Sequence, residues 1–220
     1  MSPDVFEEQF VPGYPTDRLT IRFANAALLC FAVFTLGVLS LHVLRADVDV
    51  TIHKISDYAV GPWGGLMTAA FAGASLGCLM LALGFARSCA GSIPGRLCSA
   101  MFALASVGLA ATAAYPTDMP GAPVTSVGDI HRISFLVNVA SIVLAAILTT
   151  VVASRDARWR KHRLPAALLA LLLVIAVVVQ FRALYQGIAH GVANRFVIGT
   201  MVIWLVVTAT RLRRVGGPEA

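Results

Sequence analysis

Charge is scarce in this chain, and long stretches lack it altogether. Asp, Glu, Lys and Arg make up 13% of the 220 residues, against roughly a quarter in soluble globular domains. Length alone would accommodate one or two soluble domains. Composition excludes them, with 58% hydrophobic residues and a mean hydropathy of +0.82. The alternating faces of soluble helices are also missing, because apolar residues arrive in blocks. Cysteine is sparse: Cys30 and Cys78 fall inside apolar runs, and Cys89 and Cys98 sit beside the short loop RSCAGSIPGR. Their spacing indicates neither a zinc ribbon nor a structural disulfide. No compact metal signature of the H-E-x-x-H kind occurs. The start, MSPDVFEEQFVPGYPTD, is acidic and carries prolines. It lacks the basic opening and short apolar core of a cleavable signal peptide, so the first span is expected to remain as an anchor.

What is present is a series of charge-free runs. They are Phe23 to Leu44 (22 residues), Tyr58 to Ala86 (29), Leu97 to Thr117 (21), Ile133 to Ser154 (22), Leu164 to Phe181 (18) and Phe196 to Thr210 (15). About 20 apolar residues cross a bilayer core, and helices satisfy their own backbone there. The last run reaches spanning length if its helix starts near Val192 and Arg195 snorkels to the interface. The expected fold is therefore all-α: a polytopic six-transmembrane-helix bundle over residues 20–214. Its spans lie at about 22–45, 62–87, 96–116, 130–154, 164–184 and 192–212. Residues 1–19 and 215–220 form short tails.

Basic residues orient the bundle. An even number of spans puts both termini on one side. That side collects twelve Lys and Arg (Arg18, Arg22, Arg87, Arg96, Arg155, Arg158, Arg160, Lys161, Arg163, Arg211, Arg213 and Arg214). The other side has five: Arg45, Lys54, Arg132, Arg182 and Arg195. The positive-inside rule then makes both termini cytoplasmic, in a cytoplasmic (inner) membrane. The net charge of +6 meets anionic headgroups on that side and gives no reason to invoke nucleic acid.

Polar residues gather on the opposite, outer side. VTIHKISDYAVGPWGG supplies His53, Ser56 and Asp57; residues 115–132 supply Asp118, Asp129 and His131; RALYQGIAHGVANR supplies Gln186, His190, Asn194 and Arg195. In a bundle with helix spacings of about 8–10 Å these connections share one rim. From His131 the polar residues Ser134, Asn138 and Ser141 follow at steps of three, four and three. That is one helical stripe, and in lipid it faces other helices or a wet cavity. Pro116, Pro120, Gly121 and Pro123 stiffen the turn that carries Asp118. Gly61 with Gly65 and Gly73 with Gly77 form small-xxx-small pairs suited to close helix packing.

Several chemistries compete for this rim. Three imidazoles from His53, His131 and His190, with Asp57 or Asp118 nearby, would suit a catalytic zinc with an open position. A metal-dependent intramembrane hydrolase of lipid esters would follow. Without metal, a His–Asp pair can act as acid and base, with Asp118 paired to His131 or Arg195. Haem fits poorly, because only His131 and His42 lie deep enough for axial ligation. Transport would need interrupted helices at the midplane, where the residues are almost wholly apolar; Gln180, in the outer half of the fifth run, is the exception. The bland alternative is a solvated rim, since charged groups at helix ends reach water at little cost.

Three stretches, HKISDYAVGP, AAYPTDMPGAPVTSVGDIHRISF and GVANRFVIGTMVIWLVVTATRL, resemble a prokaryotic multi-pass membrane family, the domain of unknown function 998. The resemblance covers nearly all of residues 20–214. Its H-x-x-S-D element falls on His53, Ser56 and Asp57. Its F-P-x-D element falls on Pro116 and Asp118, with Tyr115 in place of phenylalanine. Its G-x-x-H and G-x-x-x-R elements fall on Gly128 and His131 and on Gly191 and Arg195. The resemblance implies six spans and a site of His53, Asp57, Asp118, His131 and Arg195, without His190, and it carries no reaction. The functional expectation is recognition or turnover of a lipid headgroup or other amphiphile at the outer leaflet. The rival is a non-catalytic subunit of a larger membrane complex. Membrane lipids are the expected partners, with other membrane subunits or a second copy as further ones.

Overall fold

A computed structural model describes residues 16–218; most of the expected N-terminal tail and the last two residues lie outside it. The chain forms six long helices: α1 (Arg18–Leu44), α2 (Gly64–Ser88), α3 (Ile93–Ala114), α4 (Ser126–Arg155), α5 (Arg163–Gln186) and α6 (His190–Val215). Two short 3-10 helices, Ile55–Ala59 and Ala157–His162, lie in the connections. Among the described residues there is no strand. All six helices are long and apolar enough to cross a membrane.

Local chemistry sets where the helices start. Asp17 accepts the N–H groups of Leu19 and Thr20 at 3.2 and 3.3 Å and so caps α1. Ser92 caps α3 through Gly95 N–H at 3.1 Å. Thr125 caps α4 through Gly128 N–H at 3.0 Å, which starts that helix four residues before the expected 130. Each cap satisfies a donor that the helix itself leaves open, typically worth about 1 kcal/mol. Between α5 and α6 only three residues turn the chain, with Gly187 and Ala189 both in the left-handed region at φ 69° and 49°.

Successive helices pack side by side, and α6 returns against α1, so the six close into a ring. The ends of the ring meet. Asp17 N–H donates to the Gly216 carbonyl at 2.8 Å, and Arg87 pairs with Asp17 at 2.8 Å. The face carrying the chain ends is therefore tied together. The opposite face, called the far face below, carries the connections 45–63, 115–125 and 187–189.

The two halves of the ring are filled differently. Toward the chain ends a run of aromatic rings plugs the centre. Phe85 lies 5.1 Å from Trp159 and 5.2 Å from Phe102, which stacks on Trp204 at 5.7 Å. With no water to exclude inside a bilayer, such close packing is what holds helices together. Gly73 and Gly77 serve the same end, since a Cβ at either would meet Cys30 or Phe31 of α1. Gly65 has nothing within 4 Å, and Gly61 is a turn residue at φ 87° beside Arg45. That pair is therefore not a packing seam. The outer surface is apolar, with Leu29, Leu36, Val107 and Leu168 all more than half exposed, as a lipid-facing surface requires.

Candidate functional site

The first far-face connection, 45–63, is held by two arginines. Arg45, buried, grips Asp47 through Nε (2.9 Å) and Nη2 (3.0 Å) and donates Nη1 to the carbonyls of Val60 and Pro62. This grip holds the Asp47 carboxyl below its usual range. Within the same connection Asp57 is fully buried. Its Oδ2 accepts Lys54 N–H at 3.0 Å and lies 3.2 Å from His53 Nδ1, while Oδ1 has no partner among the described residues.

Arg195 is the second clamp. Its Nη1 donates to the carbonyls of His53 (2.6 Å), Val50 (3.0 Å) and Gly191 (3.0 Å). Its Nη2 donates to the Tyr58 hydroxyl at 3.1 Å, and its Nε to His42 Nε2 at 2.9 Å. The guanidinium thus reaches the far-face connection and is spent on its carbonyls. Gly191 makes this approach feasible, because a Cβ there would meet the carbonyls of His53 and Val50 at 2.6 Å. Asn194 adds a further tie, its Oδ1 accepting Ile55 N–H at 2.9 Å.

Asp118 is occupied elsewhere than expected. It pairs with neither His131 nor Arg195; it accepts Thr125 N–H at 2.9 Å and Thr125 Oγ1–H at 2.8 Å. Those two bonds keep its carboxyl below the ordinary value. A Cβ at Gly128 would overlap the Asp118 carboxylate, so a larger residue there would displace Asp118 from its present position. His131, 4% exposed, is oriented by the same connection. Its Nδ1 lies 2.7 Å from the Tyr115 carbonyl. A carbonyl only accepts, so Nδ1 carries the proton, and in the neutral ring Nε2 is left as an acceptor.

His131 stands between two cavities. The deeper one, about 40 Å³, lies in the ring centre among Phe31, Phe34, Phe71, Asn138 and Met201. The larger, about 340 Å³, lies between α4, α5 and α6 at the far face. Lys54, Asp118, Asp129, Arg132 and Gln180 supply its polar side; Phe135, Leu136, Phe181 and Leu184 supply its apolar side. Leu136, Phe181 and Leu184 are each more than 40% exposed on the outside of the bundle, so this cavity opens toward the lipid-facing surface between α4 and α5. The polar stripe of α4 is buried throughout, with His131, Ser134, Asn138 and Ser141 all under 8% exposed. Part of it serves packing: a Cβ on Gly108 of α3 would meet the Ser134 carbonyl at 3.0 Å.

The five residues singled out in the sequence therefore divide into two groups. Asp118 and His131 line the larger cavity. His53, Asp57 and Arg195 build the clamp beside it, and Arg195 lines a separate groove between α1 and α6 together with His42. His190 opens α6. Among the described residues no group of three or more His, Cys, Asp or Glu side chains is placed to hold a metal ion. The set His53, His131 and His190 is accordingly not brought together. Three cavity residues that the sequence leaves outside the proposed site are Lys54, Gln180 and Asn194. Asn194 already stands among the outer-rim polar residues of the sequence, and Gln180 carries a signal as the polar residue of an otherwise apolar run.

The profile of the family described as Protein of unknown function (DUF998) matches residues 26–211, and the chain belongs to that family. No curated protein and no solved structure matches it.

Proposed function

We propose that this member of the DUF998 family holds a membrane amphiphile by its headgroup in the cavity between α4, α5 and α6, and recognises it or turns it over there. One observation carries this reading: a single cavity of about 340 Å³ has a charged and hydrogen-bonding side at the far face and an apolar side that reaches the lipid-facing surface. Its volume falls at the lower end of the roughly 300–1,000 Å³ of small-molecule sites, enough for a headgroup while the chains stay in the bilayer. The twelve-to-five distribution of basic residues supports cytoplasmic termini, with the cavity at the outer leaflet of a prokaryotic inner membrane. Recognition rests on the lining alone. Turnover would fall to His131, whose Nε2 is the acceptor available to take a proton.

Native mass spectrometry of the protein extracted with its own lipids tests the reading. The wild type is expected to retain a bound amphiphile, and Leu136→Trp with Leu184→Trp, which fill the apolar side, to lose it. Equal retention in both would overturn the proposal.

A further inference from the structure

If an amphiphile occupies the cavity, the lining also limits its headgroup. Lys54, Asp118, Asp129 and Arg132 line it, two of each sign, so their charges sum to zero. They are matched locally as well. Asp129 pairs with Arg132 at 2.9 Å. The Asp118 carboxyl is held below its ordinary value by the N–H and O–H of Thr125, and the Lys54 charge adds to that hold. His131 is the other titratable lining residue, and as the neutral ring described above it adds no charge. Such a lining offers no net attraction to an anion or to a cation, while any ion brought into it gives up its water.

The unmet demand is for hydrogen bonds. Gln180, in the same lining, is 2% exposed, and among the described residues neither its Nε2 nor its Oε1 has a partner. Two unpaired polar atoms at a membrane-embedded position are costly. The amide presents a donor and an acceptor side by side. A phosphate or an ester only accepts and meets Nε2 alone, and a trimethylammonium group meets neither atom. An ethanolamine phosphate meets both, but it brings two charges into a lining whose own charges are already matched, and both must be desolvated. Hydroxyls donate and accept without charge, and two on neighbouring carbons span the amide. Ser56 and Asn194 add further uncharged polar groups to the lining. We infer that the cavity selects an amphiphile with an uncharged, polyhydroxyl headgroup of the sugar or polyol class, its hydroxyls on the Gln180 amide. The apolar side formed by Leu136, Phe181 and Leu184 takes the start of the acyl chains. This inference rests on the amphiphile reading above and adds the class of headgroup.

The test titrates three lipids with the same acyl chains into the delipidated full-length protein. They are a glucosyl diacylglycerol, which has hydroxyls and no charge, phosphatidylglycerol, which has hydroxyls and a phosphate, and zwitterionic phosphatidylethanolamine. The glucosyl lipid is expected to bind about tenfold or more tighter than either phospholipid, the scale of one good hydrogen bond to a buried group with no ion to desolvate. Its affinity should hold within about twofold from low to high salt, because no ion pair carries it; a steep salt dependence would overturn the inference. Gln180→Leu should weaken the glucosyl lipid about tenfold, and an unchanged affinity would remove its hydroxyls from Gln180. Because that substitution deletes two orphaned polar atoms, it should fold and melt no lower than wild type. Soluble methyl glucoside should fail to displace the lipid; displacement at equal concentration would overturn the amphiphile as the source of the hydroxyls. Equal or tighter binding of either phospholipid, with loss on filling the cavity by Leu136→Trp and Leu184→Trp, would overturn the headgroup inference and leave the cavity reading standing. Binding of none of the three, or binding indifferent to the filled cavity, would overturn both.

Discussion

Arg195 donates its Nε–H to Nε2 of His42 at 2.9 Å, and His42 Nδ1 in turn reaches the Val38 carbonyl at 2.8 Å. An arginine can only donate and a carbonyl can only accept, so the imidazole between them has its proton on Nδ1 and its lone pair toward Arg195. Together with the carbonyls of Val50, His53 and Gly191, this joins α1, the first far-face connection and α6. Arg195 is thus a structural clamp beside the cavity.

Removing the clamp should weaken the fold more than it weakens ligand contact. Arg195→Met is expected to cost roughly 2–3 kcal/mol, since it strands several part-buried acceptors at once. Arg195→Lys should recover only part of this, because an ammonium cannot span the same set of acceptors. Thermal unfolding in detergent reads the difference. A melting temperature equal to wild type for Arg195→Met would show that the clamp carries no stability.

The connection from Tyr115 to Thr125 should be sensitive to acid. Asp118 is held below the ordinary carboxylate pKa by the N–H and O–H of Thr125. A depressed folded-state value contributes stability that is present above the unfolded value of about 3.9 and is lost as pH falls through the lower folded one. Proteolysis within 115–125 should therefore rise below about pH 4 in wild type. Asp118→Asn, which cannot be titrated, should be cut readily at both neutral and acid pH. A wild-type pattern unchanged by acid would separate Asp118 from the integrity of this turn.

Much of the fold is legible from the chain because bilayer physics is coarse. Runs without charge, bounded by Arg and Lys, are enough to give six helices, and the buried stripe His131, Ser134, Asn138 and Ser141 follows from period alone. The candidate site is less legible. The sequence brings Arg195 near the rim but does not say that its guanidinium binds the carbonyls of the first connection, which depends on Gly191 letting that connection settle on α6. It likewise places Asp118 on a stiff turn without revealing that Thr125, seven residues on, satisfies both oxygens. Lys54 and Gln180 are 126 positions apart in the chain and share a wall only because α6 closes the ring against α1.

Membrane orientation is tested by labelling. In a background lacking the native cysteines, Ala122→Cys should react with an impermeant thiol reagent in intact cells. Gly91→Cys should react only after lysis, as the placement of basic residues requires. The reverse pattern would put the cavity on the cytoplasmic leaflet.

The central claim, that the far-face cavity is a headgroup site, is tested most directly by a crystal structure grown from a lipid mesophase doped with membrane extract. A headgroup between Lys54, His131 and Gln180, with chains leaving past Leu136, Phe181 and Leu184, is the predicted result. A cavity closed by those same side chains, with lipid ordered only along the outer surface, would contradict it and leave a packed scaffold in its place.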